Sequence, residues 1–175
     1  DSTVNSMKNE YLELRNDYIN EKTANPDAPW FNNYYTLHSN ASEGLHGNIC
    51  YTVDYEIYSG GAHPNSIISC VNINEKTGKE ITLQDIFTDS TEEQLTERLI
   101  DRLALQNGVK GIEELKEIDY LVLNDMYITN NFILGKDSIF FLYNNYEIAP
   151  YYKGRSRIRF KYEELKDLRK ESFLK

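Results

Sequence analysis

From Ser2 to about Asn20 the apolar positions Val4, Met7, Tyr11, Leu14 and Tyr18 recur at alternating spacings of three and four, which draws one stripe down an α-helix. Pro26 and Pro29, set beside Asn25 and Asp27, end it in a turn-rich connector, after which Trp30 and Phe31 are expected to anchor the chain on the core. The period then changes to two. Between Cys50 and Tyr58, Tyr51, Val53, Tyr55 and Ile57 alternate with Cys50, Thr52, Asp54 and Glu56, the pattern of a strand with one apolar and one wet face. Ile67 to Ile73 reads as the next strand, and Asn74-Glu75-Lys76-Thr77-Gly78 as a hairpin loop returning the chain into a third, Glu80 to Leu83. Ser90-Thr91-Glu92-Glu93 sets an N-cap hydroxyl three residues before a glutamate; Leu95, Leu99 and Leu103 continue a helical stripe that Asn107-Gly108 closes. A short helix near Ile112 to Lys116 follows. Phe132 to Leu134 and Ser138 to Tyr143 flank the turn Gly135-Lys136-Asp137, Arg155 to Phe160 alternates as a last strand, and Tyr162 to Leu168 has the pattern of a terminal helix.

These elements predict an α+β fold: a twisted antiparallel sheet with helices packed mainly on one face, the helices being Ser2 to Asn20 and Ser90 to Gln106. At 175 residues, 1–175 is expected to form a single compact unit. The longest apolar run, Ile139 to Tyr143, is far short of the roughly 20 residues that span a bilayer. A net charge of −9 argues against a sequence-independent attraction to nucleic acid or anionic lipid. The chain opens on Asp1 with no basic-then-apolar leader before Val4, so a processed or excised chain is expected. Fourteen tyrosines and 18 asparagines against 6 alanines suit a polar, aromatic-rich surface of the kind common on exported binding proteins.

Motifs with a defined chemistry are missing. The histidines His38, His46 and His63 match no zinc spacing, and no nucleophile elbow, phosphate-binding glycine loop, calcium loop or Cys-x-x-Cys occurs, so no catalytic residue, metal or cofactor is expected. His63, in the loop around Gly60, Gly61 and Pro64, suits a catalytic base less well than a loop histidine bonded to its own backbone. Asp54 and Glu56 resemble paired glycosidase carboxylates, although a solvated strand face explains them more cheaply. Cys50 and Cys70 stand opposite each other, close enough for a disulfide, if Gly60 and Gly61 sit at the centre of a symmetric hairpin; an asymmetric loop separates them. Arg155, Arg157, Arg159 and Lys161 share one strand face, where they can meet an anionic ligand or pair with acidic neighbours across the sheet. Tyr143, Tyr146, Tyr151 and Tyr152 gather around Pro150 and suit a protein or sugar contact surface as well as a seam between sheet and helix.

Three segments in order carry a resemblance: Tyr58-Ser59-Gly60-Gly61-Ala62-His63-Pro64-Asn65; Thr77-Gly78-Lys79-Glu80-Ile81-Thr82-Leu83-Gln84-Asp85-Ile86-Phe87; and Tyr146-Glu147-Ile148-Ala149-Pro150-Tyr151-Tyr152-Lys153-Gly154, closing on Phe160-Lys161-Tyr162-Glu163-Glu164-Leu165. Together they resemble the paired domains of unknown function in the extracytoplasmic region of the lysozyme-sensing anti-sigma-V factor and in the non-catalytic part of some peptidoglycan deacetylases. Bacteroides-like exported lipoproteins carry the same pair. The resemblance implies two family segments, 1–73 and 74–175, with Gly60, Gly61, His63 and Pro64 as the signature loop, and a strand ahead of the first helix, expected to have been trimmed from a chain that begins almost at that helix. It implies a non-enzymatic, extracytoplasmic module, periplasmic or on a cell-surface lipoprotein, that binds a lysozyme-like protein or peptidoglycan. The contact residues expected are Tyr146, Tyr151, Tyr152, Arg155 and Arg157. The rival expectations are a cell-wall glycan hydrolase using His63, Asp54 or Glu56, and a deacetylase-associated accessory domain.

Overall fold

The computed structural model describes residues 2–26 and 34–174, with side chains from 5 and to 173. Val4, Trp30 and Phe31, each given a packing role above, lie outside the described side chains. The fold is α+β, with six strands divided between two antiparallel three-stranded sheets rather than joined in one. The chain forms two compact units, Asp1–His38 with Asp54–Ile67, and Ser39–Val53 with Ile68–Lys175. The division falls inside β-strands, at His38, Val53 and Ile67.

The first unit contains α1 (Ser2–Ala24) and the neighbouring portions of β1 (Tyr34–Glu43), β2 (Ile49–Tyr58) and β3 (Asn65–Ile73). Met7, Leu14 and Tyr18 on α1 are half-buried as their stripe predicts, but Tyr11 is 54% exposed. The Tyr35 ring stacks on Tyr55 at 6.0 Å and Tyr34 on Tyr58 at 5.7 Å. The Tyr34 hydroxyl donates to Glu56 at 2.6 Å. Partial burial raises the pKa of Tyr35 and of Tyr55, with Glu10 of α1 adding its negative charge to both effects.

The sheet order β1-β2-β3 corrects two expectations. Its third member is β1, a strand with almost every side chain exposed and hence no buried face to impose alternation. Residues 80–83 form no strand: Glu80 makes a single bridge to Ile73, and Thr82 then starts α2 (Leu83–Ile86) by capping with Asp85, whose Oδ2 accepts from the Thr82 N–H at 2.8 Å. The predicted wet and apolar faces of β2 and β3 are also reversed within the second unit. Cys50 is 1% and Asn72 2% exposed, whereas Tyr51 is 41% and Val71 36% exposed.

That second unit is built on β4 (Phe132–Leu134), β5 (Ser138–Tyr143) and β6 (Ser156–Lys161), paired antiparallel with Phe141 opposite both Phe132 and Ile158. Ile139, Phe141 and Tyr143 meet Leu95, Leu99 and Leu103 of α3 (Glu92–Asn107) in one core with Leu115 of α4 (Ile112–Glu117), all at or below 2% exposure. Burying a side chain of this size stabilises by about 1.5–3 kcal/mol, so this stripe dominates the unit. Gly108, at φ 71°, ends α3 as expected. The predicted N-terminal capping box does not form: Ser90 is left-handed at φ 67° and the Thr91 hydroxyl turns back to the Thr88 carbonyl. The expected terminal helix is a 3₁₀ turn, Tyr162–Leu165, followed by a bridge from Arg169 to Phe87.

Three asparagine side chains join β3 to the second sheet. Asn72 donates to the Phe132 carbonyl at 2.7 Å and accepts from the Leu134 N–H at 2.9 Å. Asn131 donates to the Ile68 carbonyl at 2.8 Å and accepts from the Cys70 N–H at 2.9 Å. Asn144 accepts from the Ile68 N–H at 2.8 Å. β3 and β4 are edge strands of their sheets, and these amides take up backbone groups that an open edge leaves unpaired. Gly44, after β1, completes the junction, because a Cβ there would stand 2.0 Å from the Leu134 carbonyl oxygen.

Candidate binding surface

The strongest surface feature grows from the end of β5. Asn144 caps the following turn by donating its N–H to Glu147 at 2.6 Å; Tyr146 sits at φ 69° and its N–H bonds the Ala149 carbonyl at 3.0 Å. Pro150, with φ −61°, leads into the 3₁₀ turn Tyr151–Lys153, which Gly154 ends at φ 73°. A second loop is laced to this one: the Leu121 N–H bonds the Ile148 carbonyl at 2.8 Å, and the Asn124 amide donates to the carbonyls of Tyr146 and Glu147 at 3.3 and 3.1 Å.

The lacing holds aromatic side chains outward. Tyr146 is 47% and Tyr152 67% exposed, next to Val122 at 49% and Leu123 at 62% on the facing loop. The rings of Tyr146 and Tyr151 lie 6.0 Å apart, tilted by 36°. The Tyr152 hydroxyl donates to Asp119, and this bond to a carboxylate raises the phenol's pKa. The Lys153 ammonium lies over the Tyr120 ring at 5.4 Å and the Tyr152 ring at 5.6 Å. Tyr127 packs edge-on against Tyr143 at 5.4 Å, and burial, then the charge of Glu147 and a hydrogen bond to it, push its hydroxyl up to about 12. In the same turn Asn145 Oδ1 is buried with no hydrogen-bond partner among the described residues. Stacking faces, carboxylates and amides together suit a ligand with apolar faces and many hydroxyl or amide groups.

Of the five contact residues read from the sequence, the structure brings Tyr146 and Tyr151 together and sets Tyr152 beside them in the chain with its own partners. Arg155 is half-buried just before β6. Arg157 belongs to the sheet face: its guanidinium lies 3.9 Å above the Phe140 ring, with Arg159 5.6 Å from the same ring and paired with Asp137 at 3.1 Å. Arg157, Arg159 and Lys161 therefore share the exposed face of β6, where the Phe140 ring of the central strand meets Arg157 and Arg159 and Asp137 pairs with Arg159. The hydrophobic partners Leu123 and Val122 and the asparagine lacing escaped the sequence reading, since the stretch before Thr129 has no periodicity.

Gly60 and Gly61 adopt φ 96° and 102°, and the Tyr58 hydroxyl donates to the Gly61 carbonyl at 2.9 Å. His63 is exposed with Nδ1 3.0 Å from the Pro64 carbonyl oxygen. Cys50 on β2 and Cys70 on β3 are free thiols in hydrogen-bond contact. Among the described residues no three His, Cys, Asp or Glu side chains converge to hold a metal. No described helix is long and apolar enough to cross a membrane.

No curated protein matches the chain. Among solved structures it is similar to a DUF3298-family member from Bacteroides fragilis, with 29% identity and a TM-score of 0.83 over 95% of this chain and 68% of that one. A DUF3298-family protein from Pseudomonas aeruginosa shares the fold at 19% identity and a TM-score of 0.67, over 81% of this chain and 64% of its own. This chain thus spans about two thirds of either relative. Residues 84–163, from α2 through the tyrosine turn and β6 into the 3₁₀ turn that follows, match the family DUF3298, described as a protein of unknown function.

Proposed function

We propose that this chain is a non-enzymatic, extracytoplasmic module that binds a cell-wall glycan or a lysozyme-like protein through the Tyr146–Tyr152 turn. The observation that carries the reading is the exposed Tyr146 ring set against the half-buried Tyr151 ring, fixed by a left-handed backbone at Tyr146 and by the Asn124 amide. A non-glycine residue at positive φ is uncommon, and its cost is tolerated where the surroundings determine the conformation. Exposed aromatics beside Asp119, Asn124 and Lys153 supply ring faces for the C–H side of a pyranose or an apolar protein anchor, with polar partners alongside. The resemblance carried by the three sequence segments, to exported lipoproteins and to the lysozyme-sensing anti-sigma-V factor, favours the same class of ligand. Glu56 engaged by Tyr34, and His63 against its neighbouring carbonyl, fit supporting roles better than acid or base roles.

The test is a calorimetric titration of the chain with soluble peptidoglycan fragments and, separately, with lysozyme, with products followed by mass spectrometry. Saturable binding without product, weakened at least tenfold by Tyr146→Ala with Tyr151→Ala, is the expected result. Cleaved or deacetylated glycan, or affinity unchanged in the double variant, overturns the reading.

A further inference from the structure

Cys50 lies at 1% exposure on the covered face of β2, and Cys70 half-buried opposite it on β3. Their thiols are already in contact through a hydrogen bond. Adjacent strands place facing side chains within the separation that a disulfide accepts, and the Cys70 N–H is pinned to Asn131 at 2.9 Å, which fixes the strand carrying the more accessible thiol. We infer that Cys50 and Cys70 are a reversible disulfide-forming pair, a redox modification site at the root of the β2–β3 hairpin and independent of the tyrosine turn.

The local electrostatics hold the resting negative charge on Cys50, so the exchange begins when the shared proton passes from Cys70 to Cys50. The hydrogen bond from Cys70 pulls the Cys50 thiol below its ordinary value, while donating that bond and being buried push Cys70 up, an effect the nearby Arg157 guanidinium opposes. One proton shared between two sulfurs lets either carry the thiolate that attacks. The oxidant is another disulfide, such as glutathione disulfide or an oxidoreductase. Cys70, the accessible sulfur, attacks it as thiolate, forms a mixed disulfide and expels one thiolate. Cys50 then gives up its proton, attacks the Cys70 sulfur and expels the second thiolate. The pair loses two electrons and two protons; the oxidant's disulfide is reduced to two thiols. The new bond closes the chain from Tyr51 to Ser69, which contains Asp54–Ile67 of the first unit, and so restricts the unfolded chain.

The experiment equilibrates the reduced protein in a glutathione buffer rich in the disulfide, quenches with acid, alkylates in denaturant and reads the intact mass. The expected product is two hydrogens lighter, takes no alkyl group and carries no glutathione; dithiothreitol restores two alkylatable thiols. The oxidised form melts higher by about 6–12 °C. Cys50→Ala in the same buffer retains one glutathione, because the sulfur that expels it is gone. Two alkylated cysteines, or a glutathione that persists on the unmutated protein, overturn the inference. The decisive reading is made on the unmutated chain and does not depend on the variant folding.

Discussion

Asn72 is where the asparagine junction is most exposed to test. At 2% exposure its amide pairs the Phe132 carbonyl, at 2.7 Å, and the Leu134 N–H, at 2.9 Å, on the outer edge of β4. Asn72→Leu keeps the volume and removes both partners. Each buried backbone group left unpaired costs about 1–3 kcal/mol, so the pair costs about 2–6 kcal/mol, and the added apolar surface returns about 1–2 kcal/mol. A net loss of about 3 kcal/mol lowers the melting temperature of a chain this size by about 6–12 °C. Urea unfolding at pH 7 measures it. Asn72→Asp adds a sign. Its carboxylate accepts from Leu134 but faces the Phe132 carbonyl oxygen, which disfavours the charged form and raises its folded pKa above the unfolded one. Relative to the unmutated chain, the defect is then largest at neutral pH and shrinks as pH falls through that raised value. An Asn72→Leu chain within about 0.5 kcal/mol of the original, the range of an ordinary surface change, refutes the reasoning.

Gly44→Ala brings a methyl to 2.0 Å from the Leu134 carbonyl oxygen, so its cost exceeds the about 1–3 kcal/mol of ordinary overpacking; Gly61→Ala, with nothing within 4 Å, is the control and loses about 1–2 kcal/mol to its φ of 102°, both read by thermal melts. A double-mutant cycle between Phe140→Leu and Arg157→Met returns a coupling of about 0.5–1 kcal/mol if the 3.9 Å stacking contributes, and none if it does not. The hydrogen bonds of Thr82 to Asp85, Arg102 to Glu164 and Arg98 to Asp167 hold these carboxyls below their ordinary values. Folded values below unfolded ones mean stability that is present above the ordinary carboxylate range and lost as pH falls below about 4; Arg102→Met flattens that acid limb in a pH series of melts.

What the sequence revealed follows from which residues repeat with a period. Leu95, Leu99 and Leu103 wrote α3 plainly because one face of it enters the core, and β2 was visible through Tyr51, Val53, Tyr55 and Ile57. The face assignment failed at Cys50 and Asn72 because polar side chains there are buried against amides and backbone groups, which hydropathy reads as wet. β1 left no signal, since Tyr34 to Glu43 bury almost nothing. The excess of asparagine was countable, yet asparagine ordinarily marks turns, and nothing local distinguishes Asn72, Asn131 and Asn144 from loop residues. In the candidate surface, Tyr146, Tyr151 and Tyr152 were legible as an aromatic cluster. Their support was not, because Asn124 and Leu121 act through backbone contacts fixed only by the fold.

The interleaving of the two units has a consequence for how the chain reaches this state. The chain leaves the second unit after Val53 and rejoins it at Ile68, so neither unit is one continuous piece of sequence. Deleting the first 38 residues would strip the partner from 54–67 without removing that hairpin, and no single cut yields either unit intact. Should the second unit form first, it must do so around a closed loop. The entropy of that closure grows only slowly with loop length, and strand pairing brings its ends together. The first unit can then complete on a hairpin whose two ends are already held, making its assembly a local step rather than a search by the free N-terminal segment.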